Sequence, residues 1–164
     1  MNFVSILMGS KSDYEIVNEA SKILQSFNVK YELVITSAHR SPTRTKEYIK
    51  DAEKRGAKVF IAAAGMAAHL AGAVAAYTVK PVIGIPMPGS NLASMDSLYS
   101  TVQMPSGIPV ATVAIGKAGA INAAYFAIQI LAVNDDLLSK ALLEDRKKQE
   151  EKLVADSKMV EVLL

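Results

Sequence analysis

Two histidines carry most of the acid–base chemistry that this sequence can offer, since the chain has no cysteine. The first lies in the segment Ser37-Ala38-His39-Arg40, directly after a short apolar run. An imidazole exchanges protons near neutral pH, and a neighbouring arginine is a fixed cation suited to phosphate. A loop histidine is more often a plain surface residue, but here the serine, histidine and arginine would offer three donors to one ligand. The segment favours proton transfer on a small phosphate-bearing molecule.

The second histidine lies in the segment Ala64-Gly65-Met66-Ala67-Ala68-His69-Leu70. Its glycine would let the backbone approach a ligand closely. A histidine embedded in alanines is more often buried and satisfied than catalytic. We therefore interpret His69 as a structural or supporting residue.

A third candidate is the segment Gly9-Ser10-Lys11-Ser12-Asp13, which follows the first apolar run. Glycine permits a tight turn, and free amides at the start of a helix favour an anion. The spacing matches neither a Walker P-loop nor a GxGxxG dinucleotide motif. The segment is either an anion-binding turn or a simple strand–helix turn in which Ser12 or Asp13 caps the helix.

The fourth candidate is the loop-rich region 86–109, because long loops in compact domains are often functional. A polar contact between subunits is the alternative interpretation. The polar and turn-forming residues that we single out there are Ser90, Asn91, Asp96, Ser97, Met104, Pro105, Ser106 and Gly107.

Several function classes are excluded by composition. Without cysteine, an HExxH motif or clustered acids, the sequence predicts no protein-built metal site. No GxSxG element of a serine hydrolase is present. The net charge is +2, and no basic stripe with interleaved aromatic residues appears, so we expect no nucleic-acid partner.

We expect a cytoplasmic protein with no membrane segment. The absence of cysteine suits a reducing compartment, and the first residues lack the basic region of a signal peptide. The longest apolar stretches, 60–76 and 118–133, are shorter than the ~20 residues that span a bilayer.

Short β-rich runs alternate with helical stretches along the chain. This alternation predicts an α/β fold with a parallel sheet covered on both faces, and ligands bind such sheets beyond the carboxyl ends of the strands. The predicted strands are 3–8, 31–35, 59–63, 82–85 and 110–114, with helices beginning near residues 13, 42, 66, 94 and 119. Ser41 and Pro42 predict the start of the second helix, and Gly56 its end.

The last part of the chain differs from the rest. A charged helix is predicted over 135–156, with Glu144–Lys148 and Lys147–Glu151 pairs one turn apart. The helix predicted over 119–133 is apolar around nearly its whole circumference, which indicates burial on two sides. We therefore expect one catalytic domain over 1–164 in a homo-oligomer, with 134–164 packing on neighbouring subunits. The apolar residues that end the chain are Met159, Val160, Val162, Leu163 and Leu164.

Four motifs, in order and spacing, closely resemble the 5-(carboxyamino)imidazole ribonucleotide mutase family of bacterial purine biosynthesis. They are MGSKSD, SAHR, AAHL and DSLYSTVQMPSGIPVATVAIGKAGAINAA, and the resemblance extends from residue 3 to about residue 132. It implies a three-layer flavodoxin-like domain with an extended C-terminal helix, a homo-octamer, and no metal, ATP or organic cofactor. It also implies a reaction that moves a carboxylate from the exocyclic nitrogen of the aminoimidazole to ring carbon 4.

The same resemblance implies roles for individual residues. His39 would be the general acid/base. Ser10 and Asp13 would contact the ribose-phosphate, with Ser37 and Arg40 on the phosphate side. The carboxylate and imidazole end would be lined by Ala64, Gly65 and His69. The full substrate-binding set is Gly9, Ser10, Ser12, Asp13, Ser37, Ala38, Arg40, Ala64, Gly65, His69 and Leu70.

Two alternatives remain open. A related branch carboxylates aminoimidazole ribonucleotide directly with carbon dioxide; it carries SAHK in place of SAHR and lacks the AAHL segment. A non-catalytic flavodoxin-like nucleotide-binding module is the other alternative. The chain also departs from the mutase pattern, with GMAAHLAG for GGAAHLPG and Ser94 for a glycine, so that Met66, Ala71 and Ser94 are unusual.

Overall fold

The computed structural model describes residues 2–161, and the chain divides between residues 128 and 129 into two compact units. The first unit contains a parallel sheet of five strands in the spatial order β2-β1-β3-β4-β5. This order is the flavodoxin-like arrangement, so the predicted fold class is confirmed. The strands are β1 (Phe3–Met8), β2 (Tyr31–Ile35), β3 (Ala57–Ala64), β4 (Val82–Pro86) and β5 (Ala111–Thr112).

Five helices connect and follow the strands, and a sixth lies in the second unit. They are α1 (Tyr14–Ser26), α2 (Pro42–Arg55), α3 (Leu70–Tyr77), α4 (Met95–Val102), α5 (Gly116–Ala132) and α6 (Asp136–Val160). A short 3₁₀ turn, Lys11–Asp13, precedes α1. Among residues 2–161 no helix is long and apolar enough to cross a membrane.

The central strands are apolar because they are covered on both faces. All six residues of β1 and all five of β4 are buried, whereas β2 is half-buried at the edge of the sheet. Leu7, Phe60 and Val74 belong to the core cluster on one face. Because both faces of the sheet are covered, side chains that point to either face are buried, and these runs therefore lack an alternating pattern. Full burial of such side chains stabilises a fold by ~1.5–3 kcal/mol each.

The second helix confirms one predicted boundary and corrects another. Gly56 has a φ of +108° and ends α2, as its position after Arg55 predicts. Ser41 occupies the N-cap position, but its hydroxyl makes no capping bond to the helix. Instead it hydrogen-bonds within the preceding loop, which is described below with the site.

Two elements are shorter than the sequence predicts. α3 begins at Leu70 rather than at 66, because Met66 has a φ of +55° that a right-handed helix cannot contain. β5 has only two residues, since only Ala111 and Thr112 pair with β4.

The strand register brings four loops to one edge of the sheet. The last residue of β1, Met8, pairs with Ile35 of β2 and with Ala63 of β3. Ala64 pairs with Pro86 at the end of β4. The loops that follow these strands therefore begin at the same carboxyl edge, as expected for the ligand site of a parallel sheet.

The second unit comprises the last turn of α5 and the charged helix α6. Asp135 caps α6 by accepting hydrogen bonds from the backbone N–H groups of Leu137 and Leu138. The two predicted ion pairs form, each at 3.9 Å, and such exposed pairs stabilise a helix by only ~0.2–0.5 kcal/mol. Met159 and Val160 are exposed, whereas Val162, Leu163 and Leu164 lie outside the described residues. Packing of this segment on neighbouring subunits stays a prediction.

Candidate active site

A cavity of about 550 Å³ opens at the carboxyl edge of the sheet. The structure gathers all twelve predicted site residues around it, although their roles stay predictions. Its lining is Gly9, Ser10, Ser12, Asp13, Ser37, Ala38, His39, Arg40, Ala64, Gly65, Met66, Ala67, His69, Leu70, Pro88 and Gly89.

The loop after β1 is held by a capping box. Ser10 accepts a hydrogen bond from the backbone N–H of Ser12, and the Asp13 carboxylate accepts one from the backbone N–H of Ser10 at 3.1 Å. This reciprocal pairing satisfies donors that the start of a helix leaves free. It fixes two hydroxyls and one carboxylate at the cavity wall.

Asp13 is half-buried in this turn, and its environment perturbs its titration. Burial raises the pKa of the Asp13 carboxyl above 3.8, and the hydrogen bond from Ser10 opposes part of that rise. A carboxylate withdrawn from water next to a cavity is poised to accept hydrogen bonds from ligand hydroxyls.

Asp13→Asn is expected to remove one component of the pH dependence of stability. Because the folded-state pKa lies above 3.8, the folded protein binds this proton more tightly than the unfolded chain. The free energy of unfolding of the parent therefore contains a contribution that falls as pH rises through the raised pKa. The substituted amide cannot titrate, but its oxygen can still accept from Ser10. Urea unfolding over a pH series, from about pH 3.5 to 6.5, should show the variant gaining stability relative to the parent as pH rises. A difference that does not change with pH would contradict this expectation.

The loop after β2 turns tightly so that His39 and Arg40 face the cavity. Ser37 stabilises the turn twice: its hydroxyl accepts from the backbone N–H of Arg40, and its carbonyl accepts from the backbone N–H of Ser41. The Ser41 hydroxyl, which does not cap α2, donates to the Ser37 carbonyl and accepts from the Ser37 N–H at 3.1 Å. The turn is thus closed by local hydrogen bonds.

A buried pair of threonines supports this loop from below. Thr36 is 3% exposed and Thr45 is fully buried. Their hydroxyl oxygens lie 2.7 Å apart, and the Thr45 hydroxyl also lies within 3.3 Å of the Ser37 carbonyl oxygen. Sequence analysis missed both threonines, because nothing in their spacing distinguishes them from ordinary helix and strand-end residues.

Thr45→Val is expected to lower the free energy of unfolding by ~1–3 kcal/mol, since it leaves buried polar partners short of a hydrogen bond. We also expect kcat to fall, because the loop that carries His39 loses its support. Urea unfolding and steady-state kinetics measure the two effects. The matched control is Thr43→Val, an exposed position on the same helix, where the change should stay within ~0.5 kcal/mol. Equal stability of the two variants would be inconsistent with this role.

Arg40 joins the first two loops. Its Nη2 donates to the carbonyl oxygen of Gly9 at 3.0 Å, and the side chain is exposed to the cavity. One guanidinium donor therefore binds the protein backbone in a residue that lines the cavity. A fixed planar cation of this kind suits a phosphate or carboxylate group.

The two histidines meet across the cavity. His39 Nε2 and His69 Nδ1 lie 2.8 Å apart, and the rings are nearly perpendicular, with centroids separated by 4.9 Å. Both side chains are exposed, so the expectation that His69 is buried among alanines is wrong. It fails because α3 begins one residue after His69, which leaves the imidazole on the loop rather than on a buried helix face.

The loop that carries His69 is anchored to α4. Ser100 accepts a hydrogen bond from the backbone N–H of Ala68 at 2.9 Å and donates to the Asp96 carbonyl. Within this anchored loop Met66 is held at a φ of +55°, a conformation that costs a residue other than glycine of order 1–3 kcal/mol.

The region 86–109 contributes residues to the cavity lining only at its beginning. Pro88 and Gly89 line the cavity, and the Ser90 hydroxyl donates to the Asp96 carboxylate at 2.6 Å, which shapes the following loop. Residues 104–107 are not part of the lining. Pro88 and Gly89 could have been identified from sequence, because they follow the end of β4 at the same edge. Within the described part of the chain, no three histidine, aspartate or glutamate side chains could hold a metal ion.

Comparison with known proteins gives one consistent result. The family model of AIR carboxylase matches residues 3–152. N5-carboxyaminoimidazole ribonucleotide mutase of Haemophilus influenzae is 51% identical to this chain, and the match covers 89% of each chain. The enzyme of the same name from Saccharolobus solfataricus is 56% identical, over 79% of this chain and 81% of the relative. The solved structure of Treponema denticola PurE superposes with a TM-score of 0.89 at 28% identity, covering 99% of this chain and 100% of the other. A family model that spans most of the chain, together with relatives above 50% identity, shows that the chain belongs to the AIR carboxylase family.

Proposed function

We propose that the chain is an N5-carboxyaminoimidazole ribonucleotide mutase of purine biosynthesis. It converts that compound to 5-amino-4-carboxyimidazole ribonucleotide. The observation that carries this proposal is the placement of His39, His69 and Arg40 on one cavity, in a chain whose relatives of that name are about half identical to it. The Escherichia coli relative of the same name is 48% identical over 92% of this chain.

In this proposal His39 is the general acid and base. The carbamate of the substrate loses carbon dioxide when its nitrogen is protonated as the carbon–nitrogen bond breaks. Ring carbon 4 then attacks the carbon dioxide and sheds its proton to restore aromaticity. An imidazole gives and takes protons near neutral pH, so one side chain can serve both steps in turn. A cavity that encloses the reactants limits escape of carbon dioxide.

His69 is the proton partner of His39 in the same proposal. When both rings are neutral, one of the two facing nitrogens carries the shared proton and the other accepts it. The two outward nitrogens are then one donor and one acceptor, whichever ring holds the shared proton. A proton taken up at the outward nitrogen of His69 can therefore be released from the outward nitrogen of His39. The relay runs in this direction as His39 gives its proton to the carbamate nitrogen, and it reverses when His39 takes the proton from ring carbon 4.

The remaining polar groups hold the nucleotide. Arg40 and the Ser37 hydroxyl take the phosphate, and the Ser10 hydroxyl and Asp13 carboxylate take the ribose. Ala64 and Gly65, at the end of β3, leave room for the carboxylate and the imidazole because they carry little or no side chain. The site would thus bind one end of the substrate by charge and enclose the other by shape.

We propose further that the protein acts as a cytoplasmic homo-octamer. Support comes from large apolar side chains on α6 that are exposed in the single chain, among them Leu137, Leu143 and Leu153. We expect neighbouring subunits to bury these side chains in the assembly. Light scattering on the purified protein gives the mass of the assembly; a monomer would contradict the proposal.

Incubation of the purified protein with N5-carboxyaminoimidazole ribonucleotide, without ATP or added bicarbonate, tests the activity. The 4-carboxy isomer is followed by its ultraviolet absorbance, and conversion well above the enzyme-free rate is expected. Activity with aminoimidazole ribonucleotide and carbon dioxide alone would assign the chain to the carboxylase branch instead. Binding of the nucleotide without turnover would indicate a non-catalytic module.

A further inference from the structure

Met66 is a large apolar residue that lines the cavity and nevertheless remains 69% exposed. Leu70, four residues later in the same wall, is only 2% exposed and belongs to the core. The methionine side chain therefore does little for the packing of the described fold. Because Met66 lines the cavity and is still exposed to solvent, we place its side chain at the open side of the cavity rather than at the floor.

The backbone at Met66 is held in an unfavourable conformation. Its φ of +55° lies in the left-handed region, which glycine adopts without cost and a methionine does not. The hydroxyl of Ser100 holds Met66 and the turn that follows it, because it donates to the Met66 carbonyl oxygen at 3.4 Å and accepts from the N–H of Ala68. A strained residue that the core does not use points to a role of its side chain in function.

We infer that Met66 is a specificity-determining residue that covers the carboxyl group in transit and keeps it from leaving as carbon dioxide. This inference rests on the proposed function. Met66 lies between Gly65 and His69, at the end of the cavity assigned to the carboxylate and the imidazole. A thioether chain is flexible and apolar, so it can fold over a bound ligand and exclude water.

The reaction has two outcomes after the first step. When the carbamate carbon–nitrogen bond breaks, its electron pair passes to the nitrogen, the nitrogen takes a proton, and carbon dioxide is released into the cavity. In transfer, ring carbon 4 forms a bond to that carbon dioxide and then loses its proton. In escape, carbon dioxide leaves and aminoimidazole ribonucleotide remains. Covering the open side of the cavity favours transfer over escape.

Three variants test this role. Met66→Gly removes the cover and the backbone strain together, while the Ser100 contacts, which involve only backbone atoms of the loop, persist. Met66→Leu keeps an apolar cover. Ser94→Gly is the matched control for strain, because Ser94 also has a positive φ, +66°, but does not line the cavity. The readout is the ratio of aminoimidazole ribonucleotide to 4-carboxy product formed in one reaction, after subtraction of enzyme-free breakdown.

In Met66→Gly we expect the ratio of escape to transfer to rise roughly tenfold. A modest change in the difference between the activation barriers for escape and for transfer produces a rise of that size. Met66→Leu and Ser94→Gly should keep the parent ratio. Both glycine variants should melt at the parent temperature or roughly 2–4 °C above it, so a changed ratio is not a folding defect. An unchanged ratio in Met66→Gly overturns the inference, whereas failure of the parent protein to convert the substrate overturns the proposed function instead.

Discussion

Replacing His39 by asparagine is expected to lower kcat by about 10²–10⁴, the contribution that positioned proton transfer typically makes to a rate. Asparagine occupies similar space and can hydrogen-bond to His69, but it cannot exchange a proton near neutral pH. The substrate should still bind, because the groups assigned to its phosphate and ribose are unchanged. Steady-state kinetics should therefore show a large loss in kcat with little change in KM.

The second histidine provides the matched comparison, since the chain has only two. His69→Asn removes the partner of His39 and leaves His39 itself in the cavity. We expect a smaller loss of kcat and a changed dependence of kcat on pH, because the proton supply of His39 is altered while the reacting group remains. If His39→Asn kept turnover within about threefold of the parent, His39 would not take part in the chemical step.

The sheet could be predicted from sequence because its strands are short apolar runs that end in glycine, proline or polar turns. β1, β2 and α2 begin and end where the pattern places them. The start of α3 could not be predicted. Residues 66–69 are two alanines flanked by a methionine and a histidine, and nothing in their propensities indicates that Met66 takes a left-handed conformation. The two-residue β5 is a further miss, because an apolar run does not reveal how many of its residues find a partner strand.

The residues of the site could be predicted, but their contacts could not. A parallel sheet implies that the loops after its strands share one edge, and this places His39 and His69 at the same end of the molecule. It does not say which strands are neighbours. In the structure β2 and β3 lie on either side of β1, so the loops that carry the two histidines converge over the loop at Gly9. Strand order is a property of the whole fold, so the 2.8 Å histidine contact follows from topology rather than from local sequence.

Arg40 connects the loops after β1 and β2 and gives the second large expected effect. Its guanidinium donates to the Gly9 carbonyl, and this hydrogen bond holds the group at the cavity that Arg40 lines. In the proposed function the remaining N–H groups take the phosphate, far from the bond that breaks. Binding energy at such a remote group is shared by ground state and transition state, and its loss appears in KM rather than in kcat.

Arg40→Ala is therefore expected to raise KM by ~10–150-fold, the equivalent of losing charge-assisted hydrogen bonds of ~1.5–3 kcal/mol, while kcat changes little. Arg40→Lys should fall between the parent and the alanine variant, because lysine restores the charge but not the planar pair of donors. Arg44→Ala is the matched control, since Arg44 is an exposed arginine four residues along that does not line the cavity. Steady-state kinetics at two ionic strengths measure the effect, and the gap between parent and Arg40→Ala should narrow at the higher salt concentration. An equal rise of KM in Arg44→Ala would mean that general surface charge, and not a phosphate contact at Arg40, holds the nucleotide.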